Sequence, residues 1–240
     1  MTAPSISLTE PQLLEELKAV RATLDDVNAS RTSLERVALD AIDHDRRRLA
    51  QTLHDTICQS MSGICLLYRV LGLKLKLLGA APLPEFAELG AALQYAMEDI
   101  HRLACWLRPL EADRSTLISA LAQLSDSVSH RLQCNLDCPE PVALEDHFAA
   151  RQLVQIAQEA AQEALLCKGV RRISISLSRD RDDILMSLRH DGSAAPAEPD
   201  CTSNALLRFR AQAIGATLAF STEQQGEAVI TCKLPLHSHH

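Results

Sequence analysis

Along the first forty residues, apolar side chains recur at Leu13, Leu17, Val20, Leu24, Val27, Leu34, Ala38 and Ala41, in steps of four and three, with Arg31 interrupting the row. So narrow a seam predicts a coiled coil rather than a lone amphipathic helix packed on a domain. The helix is expected to start at Thr9 as cap, with Pro11 in the first turn and Gln12 completing a capping box. The seam loses phase across "DHDRRR". A second one runs through Leu53, Ile57, Ser60, Ile64, Leu67 and Leu71, then skips Lys74 to reach Leu78. "GAAPLPEF" is expected to break the chain at Pro82 and Pro84. A further helical run then carries Phe86, Leu89, Leu93, Ala96, Ile100, Leu103 and Leu107 and stops at Pro109. Two helices joined by a short loop make a hairpin, and their narrow apolar stripes suit dimerisation into a four-helix bundle.

The pattern changes after Pro109. "STLISALAQLSDSVSHRL" reads as a helix, "QCNLDC" as a short strand and "EDHFAARQLVQIAQEAAQEALL" as a strong helix. "RRISISLS", "DILMSLRH", "ATLAFST" and "AVITCKLPL" alternate or cluster apolar residues as strands do, and the short helix "ALLRFRAQAI" precedes the last two. Helices mixed with strands around one sheet predict an α/β sandwich. The chain therefore reads as α+β, with a coiled coil over 1–42, a helical hairpin over 43–110 and an α/β domain over 111–240.

Composition narrows the function classes. Apolar residues make up 47% of the 240 residues, enough for a core, and only 3% are aromatic. The net charge of −7 argues against broad binding to nucleic acid or anionic membrane. The longest apolar run, near Ile64–Leu78, is broken by Tyr68, Arg69, Lys74 and Lys76, so no membrane span is expected. With no signal-peptide pattern in "MTAPSISLTE", the expected location is cytoplasmic. The eight cysteines form no CxxC pair. Small hydrophobes buried in the reduced state are the expectation for them, with a metal or redox role for Cys134 and Cys138 as the less favoured alternative.

The chemistry concentrates in "LHDTICQSM". His54 is followed by Asp55, Gln59 stands four residues further on, and the phase of the seam puts His54 just outside it, towards solvent. A neutral imidazole is a good nucleophile for phosphoryl groups, and an adjacent carboxylate fixes its tautomer and raises the basicity of the attacking nitrogen. The plain alternative is a polar residue on a wet helical face. Set in "DRRRLAQTLHDTICQ", the trio resembles sensor histidine kinases, in the subfamily whose phospho-accepting helix carries H-D-x-x-x-Q. "DIHRLACWLRPLE", "LVQIAQEAAQEALLCKGVRRISISL", "AQAIGATLAF" and the final "KLPL" resemble later parts of the same family, so the resemblance covers roughly residues 40–236. It implies that His54 accepts phosphate, that Asp55 orients it or acts as base, and that Gln59 positions water for dephosphorylating a partner. It further implies that the N-terminal coil transmits a signal and that the α/β domain has the histidine kinase ATPase fold.

The chain departs from the family where ATP is held. Glu163 stands where the resemblance implies a Mg²⁺-holding Asn, and Leu166 and Cys167 replace a basic residue and a histidine. In "HDGSA", His190 takes the place of the Asp that reads adenine and Ala194 that of a glycine, while Asp191 and Gly192 remain. The phosphate loop corresponds to "CTSNALLRF", which has no glycine, so side chains stand where phosphates must sit. Together these changes predict that no cofactor is bound, with ATP and Mg²⁺ only if the divergent site still works. The expected function is phosphotransfer to, or dephosphorylation of, a response-regulator receiver domain through His54, by a homodimer without its own ATP hydrolysis. The alternatives are a true autokinase, acceptance of phosphate at His54 from an active histidine kinase in trans, and a non-enzymatic regulator that heterodimerises with such a kinase.

Overall fold

The structure, a computed structural model, describes residues 10–79, 83–108, 110, 116–167, 169–192, 202–223 and 226–236. Thr9, Pro82, Pro109, Ala194 and Cys201 lie outside the described residues. The chain divides into two compact units, Met1–Ile42 and Asp43–His240.

Helix α1 runs unbroken over Glu10–Thr52. In the first unit it is a single helix whose seam residues Leu13, Leu17, Val20, Leu24, Val27 and Leu34 are all exposed. Arg31, the interruption in that seam, donates from Nε to Glu35 at 2.9 Å, one helical turn away.

The second unit opens on the last turns of α1. The helix then widens into a π-helical turn over Leu53–Cys58 and continues as α2 over Gln59–Leu77. Helix α3, Pro84–Leu107, returns beside it. Helix α2 ends at Leu77 and Pro84 opens α3 beyond the break, since the missing N–H of a proline costs nothing in a first turn. Cys58, Met61, Cys65, Tyr68, Gly72 and Leu75 are buried or half-buried. Within this row Tyr68 stacks on Phe86 at 4.3 Å between ring centroids, and its hydroxyl donates to the Phe86 carbonyl at 2.6 Å. A Cβ at Gly90 would collide with the Tyr68 ring, so only glycine lets the helices approach this closely. The seam read from the sequence is a different row: Ile57, Ile64, Leu67 and Leu71 stay exposed, as do Leu89 and Leu103 of α3. With apolar residues on both faces, the helical stretch Leu13–Leu77 is long and apolar enough, by length and composition, to cross a membrane.

A five-stranded sheet of order β1-β2-β3-β5-β4 follows. Its strands are β1 Gln133–Asp137, β2 Arg172–Asp180, β3 Asp183–His190, β4 Thr217–Thr222 and β5 Ala228–Pro235. Only the β1–β2 pair is parallel. Alternation places Ile173, Ile175 and Leu177 of β2 and Ile184, Met186 and Leu188 of β3 in the core. Helices α4, Leu117–Ser129, α5, His147–Leu166, and α6, Thr202–Ala213, cover the sheet. Asp146 caps α5 by accepting from the amides of Phe148 and Ala149 at 2.8 and 3.1 Å. Ala157, Ala160, Ala161 and Ala164 join the core from this helix. A helical region followed by a mixed α/β sheet domain is thus the architecture.

The polar face of α5 is buried as well. Gln158 donates to the Arg108 carbonyl at 3.0 Å and accepts from the Leu110 amide at 3.2 Å. Glu159 accepts from Arg46 of α1 at 2.6 Å and from Arg210 of α6 at 2.9 Å. Arg210 also donates to Gln152 and to Asp43 of α1, both at 2.7 Å. The end of α1 is therefore tied to α5 and α6 by a buried network of alternating charge.

Candidate functional site

His54 and Asp55 project from the π-helical turn, and both side chains are more than half exposed. Such turns are rare and insert an extra residue into the helical repeat, which re-aims the side chains they carry. The hydroxyls of Thr52 and Ser60 bond back to the carbonyls of Arg48 and Thr56, at 2.9 and 2.7 Å, on either side of it. Nδ1 of His54 lies 3.2 Å from Oδ1 of Asp55. A carboxylate only accepts, so this contact places the proton on Nδ1 and leaves the lone pair on Nε2. Gln59 is the first residue of α2 and is exposed.

Beside His54 opens a cavity of about 460 Å³, lined by Arg47, Ala50, Gln51, His54, Asp55, His101, Ala104 and Arg108. Ala50 and Ala104 are both buried, and their small side chains leave the space that longer polar residues surround. The His101 ring meets that of His54 edge-on, 6.1 Å between centroids. The sequence reading missed Arg47, His101 and Arg108. Arg47 had one available signal, its position seven residues, or two turns, before His54 on the same helical face.

The residues at the expected nucleotide site are engaged elsewhere. Asp191 accepts from the amides of Arg171 and Arg172 at 2.8 and 2.9 Å, which hold its carboxyl below the usual carboxylate range. Its role here is to brace the start of β2. His190 is buried, and its Nδ1 accepts from the Gly192 amide at 3.3 Å. A Cβ at Gly192 would collide with Val170, so this glycine serves close packing. Glu163 is half-buried near the end of α5, where its charge adds to burial in raising the Cys167 thiol. Leu166 is exposed. The stretch from Thr202 onward, expected as a phosphate loop, is helix α6.

Burial, opposed by Asp191, pulls the pKa of His190 below the ordinary imidazole value. The unfolded chain therefore takes up this proton more readily than the folded one. The stability this histidine contributes is intact above about pH 6.5 and is lost as the pH falls from there through the lowered value. In urea unfolding at about pH 7.5 and about pH 5, His190→Gln is expected to lose less stability than the unsubstituted protein. Equal losses would mean that His190 is protonated in the fold.

Among the described residues the cysteines are mostly packing groups. Cys232 is buried in the sheet and its thiol is pushed up to about 12. Cys138 donates to the Glu140 carbonyl at 3.1 Å, and burial raises the Cys134 thiol. Among the described residues no group of three or more His, Cys, Asp or Glu side chains is placed to hold a metal ion.

A histidine kinase family profile matches residues 45–112, which contain the π-helical turn and every residue lining the cavity. The chain is 25% identical to the nitrate/nitrite sensor protein NarQ of Escherichia coli over 193 residues, 78% of this chain and 34% of that protein. It is 26% identical to the sensor protein VraS of Staphylococcus haemolyticus over 209 residues, 82% of this chain and 57% of that protein. It thus spans about a third of the first relative's length and somewhat more than half of the second's. Among solved structures it is similar to the histidine kinase AdeS of Acinetobacter baumannii, with a TM-score of 0.44 and 15% identity, over 77% of this chain and 98% of that one. With the H-D-x-x-x-Q residues inside the matched segment and an α/β domain behind them, the chain carries a histidine kinase family segment over residues 45–112 and is similar to two-component sensor proteins over most of its length.

Proposed function

We propose that this protein moves phosphoryl groups between His54 and the aspartate of a response-regulator receiver domain, and that it does so without ATP of its own. The observation that carries this reading is the exposed His54 whose Nδ1 faces Asp55, which leaves Nε2 free for in-line attack. The residues at the ATP position argue for the second half. Adenine presents an amino group that needs an acceptor. In His190 the acceptor nitrogen is already occupied by the Gly192 amide, so the other nitrogen carries the proton and donates. The Asp191 carboxylate is held by two backbone amides, and Gly192 has Val170 against it. Glu163 adds negative charge where a triphosphate would lie. These residues do not fit Mg–ATP.

The exposed row Ile57, Ile64, Leu67 and Leu71 supports pairing of the hairpin with a second copy into a four-helix bundle, since such a stripe is stable in water only when covered. The exposed coil seam supports the same assembly along α1. Covering of this stripe by a second copy, together with a net charge of −7, supports a cytoplasmic location in this reading.

Mg–ATP provides the test. Calorimetric titration is expected to show no saturable binding, and incubation with γ-labelled ATP no acid-labile label. Saturable binding with label on His54 would establish an autokinase instead. Gln59 is exposed four residues beyond Asp55, and in this reading it holds the water that attacks a partner's phosphate. Gln59→Ala is expected to slow loss of phosphate from a bound receiver by about tenfold or more while transfer through His54 stays within about twofold. Equal loss of both activities would make Gln59 a support of the fold.

A further inference from the structure

Arg47 and Arg108 flank a cavity that also holds His54 and His101, in a chain whose net charge is −7. The neighbouring Arg46 is engaged by Glu159, whereas Nε of Arg47 is buried and has no hydrogen-bond partner among the described residues. A buried guanidinium N–H without an acceptor is costly, and a cavity next to it supplies room for one. Among the described residues, the only acidic side chain in the lining, Asp55, faces Nδ1 of His54. The space of about 460 Å³ is many times the volume one water takes in the liquid, and ample for a tetrahedral oxyanion. Arginine is the side chain best matched to such an anion, through paired N–H donors.

We propose that this cavity is a phosphate site, in which Arg47 and Arg108 hold the non-bridging oxygens of the phosphoryl group carried by Nε2 of His54, with His101 closing the far side. The proposal rests on the phosphotransfer reading for its biological use, but the site itself is defined by binding of free inorganic phosphate. In the transfer, the P–Nε2 bond forms as the P–O bond to the receiver's aspartate breaks. The departing carboxylate takes the electron pair, and the Nδ1 proton stays between the ring and Asp55. The two arginines neutralise the oxygens throughout and so favour phosphate on the histidine side of the exchange. They are positioning residues, as neither forms a bond to phosphorus.

The test is titration of the full chain with inorganic phosphate, followed by the imidazole signals of His54 and His101 in NMR, with sulfate as an isosteric competitor. Phosphate is expected to shift both sets of signals. Arg47→Gln and Arg108→Gln are each expected to weaken binding by about tenfold or more, the double variant to abolish it, and Arg47→Lys to restore part of it. Thermal melts of the same variants separate loss of the site from loss of the fold. Unmoved imidazole signals in the unsubstituted protein, or undiminished binding by a folded double variant, would overturn the proposal. A second arm uses a labelled phospho-receiver. Transfer to His54 at an unchanged rate in the double variant overturns the cradle and leaves the phosphotransfer reading standing. Arginine-dependent phosphate binding without any transfer supports the site and removes that reading.

Discussion

Replacing Arg210 by Ala lowers the free energy of unfolding by about 3–5 kcal/mol, the cost of removing one partner from a buried ionic network. Arg210 is fully buried and donates to Glu159, Gln152 and Asp43. Its loss leaves Asp43 without its partner, deprives Glu159 of one of two cations and opens a cavity the size of the side chain. The network has little slack, because Oδ2 of Asp43, Oε2 of Glu159 and Nε2 of Gln152 already lack partners among the described residues. Asp43→Ala is expected to cost less, since Arg210 then keeps Glu159 and Gln152. A typical domain has about 5–15 kcal/mol to lose, so Arg210→Ala brings the protein near the limit of folding. Urea unfolding read by circular dichroism measures both variants. A cost below about 1 kcal/mol for Arg210→Ala would mean that the network closes only weakly in solution.

The second large effect concerns phosphoryl uptake. His54→Gln is expected to reduce label from a phosphorylated receiver domain to background, because no other described group in the cavity combines a free nucleophilic nitrogen with an adjacent carboxylate. Asp55→Asn keeps the shape but withdraws the charge that steadies the Nδ1 proton. It is expected to slow uptake by about 10²–10⁴-fold, the usual range for a positioned acid or base. Rapid-quench time courses measure this directly. Uptake by His54→Gln at the original rate would transfer the role to another side chain, with His101 the first to examine.

The sequence conveyed elements better than their contacts. The alternation in "RRISISLS" and "DILMSLRH" marks β2 and β3 because half of each strand faces the core, and the breaks coincide with the turns. Helix α5 was legible as a helix, but the burial of its glutamines was not. Gln152, Gln155 and Gln158 look like a solvent face until Arg108, Leu110 and Arg210 are seen to bond them. Arg210 likewise reads as a surface cation, since its partners stand 51, 58 and 167 positions away. The π-helical turn was hidden because "LHDTIC" has ordinary helical composition, and only the extra residue in the backbone repeat distinguishes it. At the proposed site, His54, Asp55 and Gln59 are neighbours in the sequence and stand out through the H-D-x-x-x-Q resemblance. The cavity does not, because it depends on α3 bringing His101, Ala104 and Arg108 alongside α1. Asp191 and Gly192 show the reverse case: retained motif residues whose contacts are with the start of the neighbouring strand β2 and the residues just before it.

The most direct measurement starts from purified receiver domains carrying ³²P on aspartate, mixed with this protein in the absence of any nucleotide. The expected result is transient, acid-labile label on the unsubstituted chain, absent from His54→Gln, together with no label from γ-labelled ATP. Label that arrives from ATP, or none from any receiver domain, would contradict the account.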